Sequence, residues 1–335
     1  MSKELSWLPA LGIDVSKDYF HVELELNEKR RNRKFANQRR NRKFANQPKG
    51  FAELSVWLGK QKVPQVHACL EATGVYSEEL ALYLHQQGQR VSIINPAQIK
   101  AFGQSELLRN KDDRPDAGLI RRFCEKQRPP AWTPPAPELR QLQALTRHLE
   151  GLIQTRQQQL NRLESARSKE VVKSLRKLVT YLDKEMAQTE KQIKAHIDGY
   201  PELKQQSELL HSISGIGERT ASTLLGEINF KQYRSARQVA AHLGLTPHNH
   251  RSGTILGKTR LSKIGNARVR KALFMPALVA KHHNPIVRRF CQRLAANGKA
   301  PMAIVGAAMR KLIHLAFGVL KSGRPFNPDH ELTAA

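Results

Sequence analysis

Acidic residues are scarce in this sequence, which has 29 Asp and Glu against 56 Lys and Arg in 335 residues. The formal charge is +27 at pH 7 and the pI is about 10.4. Such a surplus predicts a polyanionic partner, because each phosphate contact releases counterions and strengthens binding. An anionic membrane surface is the competing interpretation, but neither a long apolar run nor a two-signal lipid anchor supports it. We therefore expect a nucleic-acid protein with no membrane partner.

Cysteine is also rare, and Cys69, Cys124 and Cys291 are odd in number and far apart in the sequence. This spacing argues against a thiolate zinc site and indicates a reducing compartment. The opening segment MSKELSWLPALGIDV has neither the apolar core nor the cleavage site of a signal peptide. Together these absences predict a soluble cytoplasmic protein.

Three zones of different composition predict an α/β plus all-α protein of two or three domains. Residues 1–130 alternate strand and helix patterns. Residues 131–200 are a proline-rich linker followed by polar helices, residues 201–327 are helical and basic, and residues 328–335 form a tail. The linker belongs to the segment KQRPPAWTPPAP, which ends the first pattern.

The first zone reads as strand, strand, helix, strand, helix, strand and helix, from the segments LGIDVSK, YFHVELELNE, GFAELSVWLGKQ, VHACLEA, SEELALYLHQQG, RVSIINP and the stretch after Lys111. The block RRNRKFANQ occurs twice in tandem, at 30–38 and 39–47. We interpret the pair as a recent local duplication, because loops tolerate insertions well. The second copy is predicted to supply a third strand, and the first copy to lengthen the hairpin before it as a solvated arm.

Leucine and isoleucine recur at steps of three and four residues between Glu138 and Ile197, among Gln, Arg, Lys and Glu. This periodicity predicts an antiparallel helical hairpin or an intermolecular coiled coil. The middle of the zone is weakly apolar, so we expect the bend of a hairpin there. Dimerisation is the role we predict for these helices.

Four acids stand at positions that predict chemistry. Asp14 falls inside the first strand, where a carboxylate is costly unless it binds something, and Glu71 closes a buried strand at its C-terminal end. Asp113 and Asp116 are three residues apart near a helix start, with Pro115 in the first turn. Each acid alone has an ordinary explanation as a turn, cap or helix-start residue. Their joint pattern predicts convergence on divalent cations, for which oxygen ligands suit Mg²⁺.

The last zone contains SISGIGERTASTLLGEI, whose glycines Gly215 and Gly217 fit a helix-hairpin-helix-like turn that can hold a DNA phosphate. Two helices joined by a glycine turn are an equally good interpretation. Further on, Ser252 stands in a predicted loop with no identifiable general base beside it, where a serine is usually a turn residue. Around it lie the candidate nucleic-acid ligands Arg251, Lys258, Arg260, Lys263, Asn266, Arg268, Arg270 and Lys271.

Two other motifs in this zone are rejected. GTILGKT has three residues between its glycines where a P-loop has four, and no apolar strand leads into it. The histidines of HNH have no acid or cysteine nearby that would complete a metal site. Nucleotide hydrolysis is therefore not expected.

Taken together, the motifs resemble the Piv-like DEDD transposases of insertion-sequence family one-ten, recombinases guided by a bridge RNA. The matching segments follow one another in order along nearly the whole chain: GIDVSKD, LEATGVY, KDDRPDA, SISGIGERTA, HLGLTPHNHRSGT, IGNARVRKAL and NGKAPMAIVGAAMRKL. The resemblance implies an RNase H-like (RuvC-like) mixed sheet with helices, a coiled-coil middle and a helical C-terminal transposase domain.

The resemblance also implies a mechanism. Asp14, Glu71, Asp113 and Asp116 would bind Mg²⁺, for which Mn²⁺ can substitute, and Ser252 would attack the scissile phosphate. A structured guide RNA would pair with donor and target DNA in a homodimer that can pair into a tetramer. The protein would be cytoplasmic and associate with the nucleoid during transposition.

Two other functions stay open at this point. A Mg²⁺-dependent, RuvC-like structure-specific endonuclease would use the same acids with water as the nucleophile. A non-catalytic nucleic-acid-binding protein would keep the fold without using the acids.

Overall fold

The computed structural model describes residues 8–29, 35–72, 74–106, 115–248, 251–252, 255–256 and 260–329. The chain divides into two compact units, Met1–Pro134 and Pro135–Ala335. The division falls inside the proline-rich segment, and the long middle helices group with the C-terminal zone. The finer division into the ranges 1–130, 131–200 and 201–327 stays a prediction.

The first unit contains a five-stranded mixed sheet in the order β3-β2-β1-β4-β5. Its strands are β1 Ala10–Val15, β2 Tyr19–Lys29, β3 Phe35–Ala45, β4 His67–Glu71 and β5 Arg90–Ile94. Strands β1, β2 and β3 pair antiparallel, whereas β4 pairs parallel with both β1 and β5. This order is that of the predicted RNase H-like sheet.

Four helices cover the sheet, α1 Pro48–Lys60, α2 Glu78–Gln86, α3 Pro96–Ser105 and α4 Pro115–Gln127. Alternate residues of β1 face opposite sides. Leu11 and Ile13 are buried in a core with α1 and α2 residues such as Leu54 and Leu80. On the other face, Cys69 of β4 packs with residues of α3 and α4 in a second core.

The duplicated block contributes to β3. That strand contains the end of the first copy and most of the second, which confirms that the second copy supplies a strand and the first lengthens the hairpin. Phe44 of the second copy is 3% exposed and its ring stacks on that of Phe20, with centroids 5.4 Å apart.

The second unit begins with two long helices, α5 Pro137–Ser165 and α6 Lys169–Asp198. They form an antiparallel hairpin, since Arg156 pairs with Asp183 at 2.5 Å and the His196 ring bonds the Glu138 carbonyl oxygen at 2.8 Å. The structure thus shows the hairpin, the first of the two predicted alternatives, with its bend in the weakly apolar middle. Dimerisation through these helices stays a prediction.

The rest of this unit comprises α7 Pro201–His211, α8 Glu218–Glu227, α9 Ala236–His242, α10 Ala267–His283, α11 Pro285–Ala296 and α12 Pro301–Ser322. Between α9 and α10 run four short strands, β6 Pro247–His248, β7 Arg251–Ser252, β8 Ile255–Leu256 and β9 Arg260–Leu261. By length and composition α12 can span a membrane, and the expectation of no long apolar run missed it. Half of the apolar stretch is buried, with Leu312 and Ile313 fully covered in this unit's core.

Replacing Phe44 by alanine should lower the free energy of unfolding by about 3–5 kcal/mol, because a buried ring is lost from a packed core. Deleting residues 30–38 should cost little, since the remaining copy keeps its register and Leu26–Lys29 can form the turn. Denaturant unfolding of both variants checks this. A deletion as damaging as Phe44→Ala would show that the first copy is part of the packed sheet.

Candidate active site

Asp14 and Glu71 lie side by side where the neighbouring inner strands β1 and β4 end. Strands β1 and β4 run parallel with Ile13 opposite Leu70, so the next residue of each strand is one of these two acids. Both side chains are partly exposed. This is the C-terminal end of parallel strands, where α/β sheets place their sites.

Asp116 joins these acids from the first turn of α4, which begins at Pro115. A proline is tolerated there because the first N–H groups of a helix have no partner within it. Asp113 lies outside the described residues, so its sharing of a helix face with Asp116 stays a prediction.

Electrostatics shows that the three described acids are neighbours. Burial raises the pKa of the Glu71 carboxyl, and repulsion from Asp14 and from Asp116 raises that pKa further. An oxygen-only donor set of three neighbouring carboxylates fits a hard divalent cation such as Mg²⁺ or Mn²⁺. The structure therefore brings together three of the four predicted acids.

Helix α4 lies directly against β1 beside this site. A Cβ atom on Gly12 would lie 2.0 Å from the Ala117 carbonyl oxygen and 2.4 Å from the Arg121 nitrogen. A side chain at residue 12 would therefore push the helix away from the strand. Gly12 stands two residues before Asp14, so it fixes the distance between α4 and the acid-bearing strand.

Arg121 is a site residue that the sequence analysis missed. Its side chain is 2% exposed and pairs with Glu23 at 2.9 Å, Glu25 at 2.5 Å and Glu125 at 2.9 Å. These contacts fasten α4 to β2, on the opposite side of β1 from β4. The signal in the sequence was the acid at alternate positions of β2, which places Glu23 and Glu25 on one face of the sheet.

The cysteine prediction needs correction. Cys69 of β4 and Cys124 of α4 are 55 residues apart in sequence, yet a disulfide joins them with a Cα–Cα distance of 6.0 Å. The prediction of a reducing compartment did not foresee this bond, because distance in the sequence says nothing about pairing across a strand and a helix. The bond is a second link between α4 and the sheet.

His67 lies beside this pair, and burial, followed by the Arg90 charge, lowers its pKa to about 4. Of the residues that the structure describes, only His67, Cys69 and Cys124 gather three possible metal-binding atoms within 4.8 Å of one another. Asp14, Glu71 and Asp116 are spread more widely. Sulfurs joined to each other are not thiolates, however, so the tighter group is not a metal site in this state.

Ser252 belongs to the second unit and ends strand β7. Its backbone pairs with Ile255 of β8, and this pair is nested inside the β6–β9 pair. The predicted loop is therefore a short β-hairpin, because the segment pairs with itself between two helices. The Ser252 and Arg251 side chains and all of Lys258 lie outside the described part of the chain.

Several predicted nucleic-acid ligands have partners within the unit. The Asn266 side chain caps α10 by accepting from the Arg268 and Val269 amides, and it donates to Glu227 at 2.8 Å. One Arg270 nitrogen donates to the Leu243 carbonyl at 2.9 Å. These two residues hold the start of α10 in place, and a role on nucleic acid stays a prediction.

Arg268 and Lys271 both pair with Glu150 of α5, at 2.8 and 3.2 Å. Arg260 and Lys263 are exposed. Their roles as nucleic-acid ligands also remain predictions.

The glycine turn between α7 and α8 has two different glycines. Gly215 has a positive φ of 106°, and a Cβ there would lie 2.8 Å from that of Ala280, so both backbone conformation and packing require glycine. Gly217 caps α8 in open space. Only Gly217 leaves room for a phosphate at the helix N-terminus.

A sheet with this strand order and with carboxylates at the ends of β1 and β4 defines the first unit as an RNase H-like domain. Residues 11–167 match a DEDD transposase family model, and residues 207–292 match the model described as transposase IS116/IS110/IS902 family. The chain belongs to the IS110 family of transposases and is a DNA transposase or recombinase.

Among its relatives is the pilin gene-inverting protein of Moraxella bovis, 32% identical over 95% of this chain and 97% of the relative. The transposase of insertion element IS1328 from Yersinia enterocolitica is 25% identical over 80% of this chain and 83% of the relative. A Thermus thermophilus RuvC structure aligns with 36% of this chain and 96% of its own, at 12% identity and a TM-score of 0.25.

Replacing Arg121 by methionine should lower the free energy of unfolding by about 3–5 kcal/mol, because it leaves Glu23 and Glu25 buried without their cation. Arg122→Met is the matched control. Its arginine is 24% exposed and pairs with Glu106, so about 1 kcal/mol or less is expected. Denaturant unfolding measures both, and equal losses would show that the Arg121 cluster does not fasten α4.

Proposed function

We propose that this protein is a site-specific DNA recombinase that cuts and rejoins strands through a covalent serine–DNA link. Asp14, Glu71, Asp113 and Asp116 hold the Mg²⁺ ions and Ser252 is the nucleophile. The observation that carries the proposal is the position of Asp14 and Glu71 at the neighbouring ends of the parallel strands β1 and β4, where burial and then repulsion from Asp14 and Asp116 raise the pKa of Glu71. Such mutual repulsion among acids is typical of a site that functions with a bound cation.

The metal's contribution would be electrostatic, since Mg²⁺ polarises phosphoryl oxygens and stabilises charge on the attacking and leaving oxygens. This chain's own contribution is to hold the ligands in place. Gly12 and Arg121 set the position of α4, and with it that of Asp116.

The proposed serine step conserves the phosphodiester. The Ser252 hydroxyl loses its proton and its oxygen bonds to phosphorus, while the bond from phosphorus to the leaving sugar oxygen breaks and that oxygen takes up a proton. A sugar hydroxyl of another strand then attacks the same phosphorus and releases the serine. No nucleotide is consumed, which agrees with the absence of a P-loop in the sequence.

The proposed partners are donor DNA, target DNA and a structured guide RNA, brought together by a homodimer or a pair of homodimers. Base pairing with the guide would read sequence, and the protein would contact backbone and shape. The name of the Moraxella bovis relative describes inversion of a gene, and the similarity covers 97% of that protein. Inversion requires both cutting and rejoining, which supports a recombinase over a nuclease.

A RuvC-like endonuclease with water as nucleophile is the second candidate. The described candidate metal ligands Asp14, Glu71 and Asp116 all lie in the first unit, whereas Ser252 lies in the second. Ser252→Ala should abolish strand joining and the denaturation-resistant protein–DNA adduct, with Ser322→Ala as the control at an exposed serine of the same unit. Gel analysis with element DNA, guide RNA and Mg²⁺ measures both products. Full cleavage by Ser252→Ala would instead assign the nucleophile to water.

Replacing Glu71 by glutamine should reduce cleavage on the order of 100-fold or more, because a charged ligand at the reacting phosphate is lost. The same change should raise the melting temperature of the metal-free protein at pH 7. A carboxyl with a raised folded pKa loses its stabilising contribution as pH rises through that pKa.

The difference in melting temperature should therefore close at acidic pH, where Glu71 is protonated. Thermal melts with and without Mg²⁺ across pH check this. No cleavage by the unmodified protein, together with unchanged DNA binding in Glu71→Gln and in Asp14→Asn, would support a non-catalytic nucleic-acid-binding protein.

A further inference from the structure

The N-terminal half of α6 and the bend before it carry a shallow groove of about 660 Å³ with an unusual lining. Six of its nine lining residues are cations and none is an acid. The lining consists of Arg167, Lys169, Val172, Lys173, Arg176, Lys177, Thr180, Tyr181 and Lys184. We call these residues the basic groove.

The cations of the basic groove are not neutralised. None of the six forms an ion pair with any residue that the structure describes. Elsewhere on the same hairpin, Arg156 pairs with Asp183 and Arg147 pairs with Glu227. The positive field of the groove is therefore directed at solvent.

Helical spacing explains the groove. From Lys169 to Lys184 its residues recur at steps of three and four, so they lie on one face of α6. The face runs for about 22 Å at about 1.5 Å per residue. Leu175 and Leu182 are buried elsewhere on the helix and lie outside the main core of the unit.

A face that only keeps a protein soluble mixes both signs of charge. The rest of α6 does so, since Glu170, Asp183, Glu185, Glu190 and Asp198 all lie outside the groove, the last three among Lys191 and Lys194. The groove lining has no such mixture. Tyr181, which is 58% exposed, adds a ring that can pack against a sugar.

We infer that the basic groove binds the sugar–phosphate backbone of duplex DNA without reading its sequence. The inference rests on the proposed function only in taking DNA as the substrate, and catalysis does not enter. Charge complementarity selects a polyanion, and membership of a transposase family selects DNA. A face of about 22 Å matches roughly six base pairs at about 3.4 Å each, enough for several phosphates.

The test uses the full chain with Lys173→Gln, Arg176→Gln and Lys177→Gln combined. Binding of a labelled DNA duplex of arbitrary sequence is followed by fluorescence anisotropy across a range of salt. The slope of log affinity against log salt should become shallower by about two to three, at about 0.9 per lost phosphate contact. Affinity at low salt should fall at least roughly tenfold.

Two controls separate a local site from bulk charge. The charge-retaining set Lys173→Arg, Arg176→Lys and Lys177→Arg should bind DNA as the unmodified protein does. Circular dichroism should show the same melting temperature for this set and for the glutamine set.

A second set, Lys49→Gln, Lys60→Gln and Arg324→Gln, removes the same charge from exposed positions outside the groove. It should leave the slope nearly unchanged. An equal loss in this set, unaltered DNA binding by the groove variant, or a loss seen only with an RNA duplex would each overturn the inference.

Asp14→Asn in the same assay distinguishes this inference from the proposed chemistry. In the Asp14→Asn background the three groove substitutions should still make the salt slope shallower by about two to three, whereas cleavage, followed separately on gels, should be lost. Normal cleavage by Asp14→Asn would reject the proposed metal site while leaving the groove result standing.

Discussion

The contact of α4 with β1 at Gly12 is the constraint on which the candidate site depends. Asp116 starts this helix, whereas Asp14 and Glu71 end the strands beneath it. At Gly12 the backbones of β1 and α4 are in direct contact, so the helix cannot come closer to the strand. The Arg121 ion cluster holds the same helix against β2. Close-packed interiors transmit small displacements, so the geometry of the acids is set from within the sheet.

Local pattern in the sequence predicted most of the first unit. The segment LGIDVSK predicted β1, alternation predicted β2, and Glu71 was expected at the strand end where it lies beside Asp14. The Arg121 cluster and the Cys69–Cys124 bond were not predictable, because each joins segments more than 50 residues apart through pairing that no local period records. The inward bonds of Asn266 were not predictable for a related reason, since a polar residue in a basic segment can bond inward as well as to a partner.

The lysines and arginines that make up the excess positive charge fall into two groups. Some cations pair with acids of their own unit, as Arg268 and Lys271 do with Glu150. Others, such as Lys173 and Lys177, line a groove that has no acid in its lining. Net charge alone therefore indicated a polyanionic partner, while only the fold separates cations that build the protein from cations that are available to a partner.

Because the tandem block repeats the same nine residues, its sequence is compatible with two registers of pairing with β2. Either copy offers β2 the same ladder of residues, with Phe35 able to take the place that Phe44 occupies. In that slipped arrangement the second copy would bulge out before Pro48, at a closure entropy that grows only slowly with length. What decides between the two is the junction with α1, where Asn46 bonds the Ser16 carbonyl and Gly50 packs on Ala45.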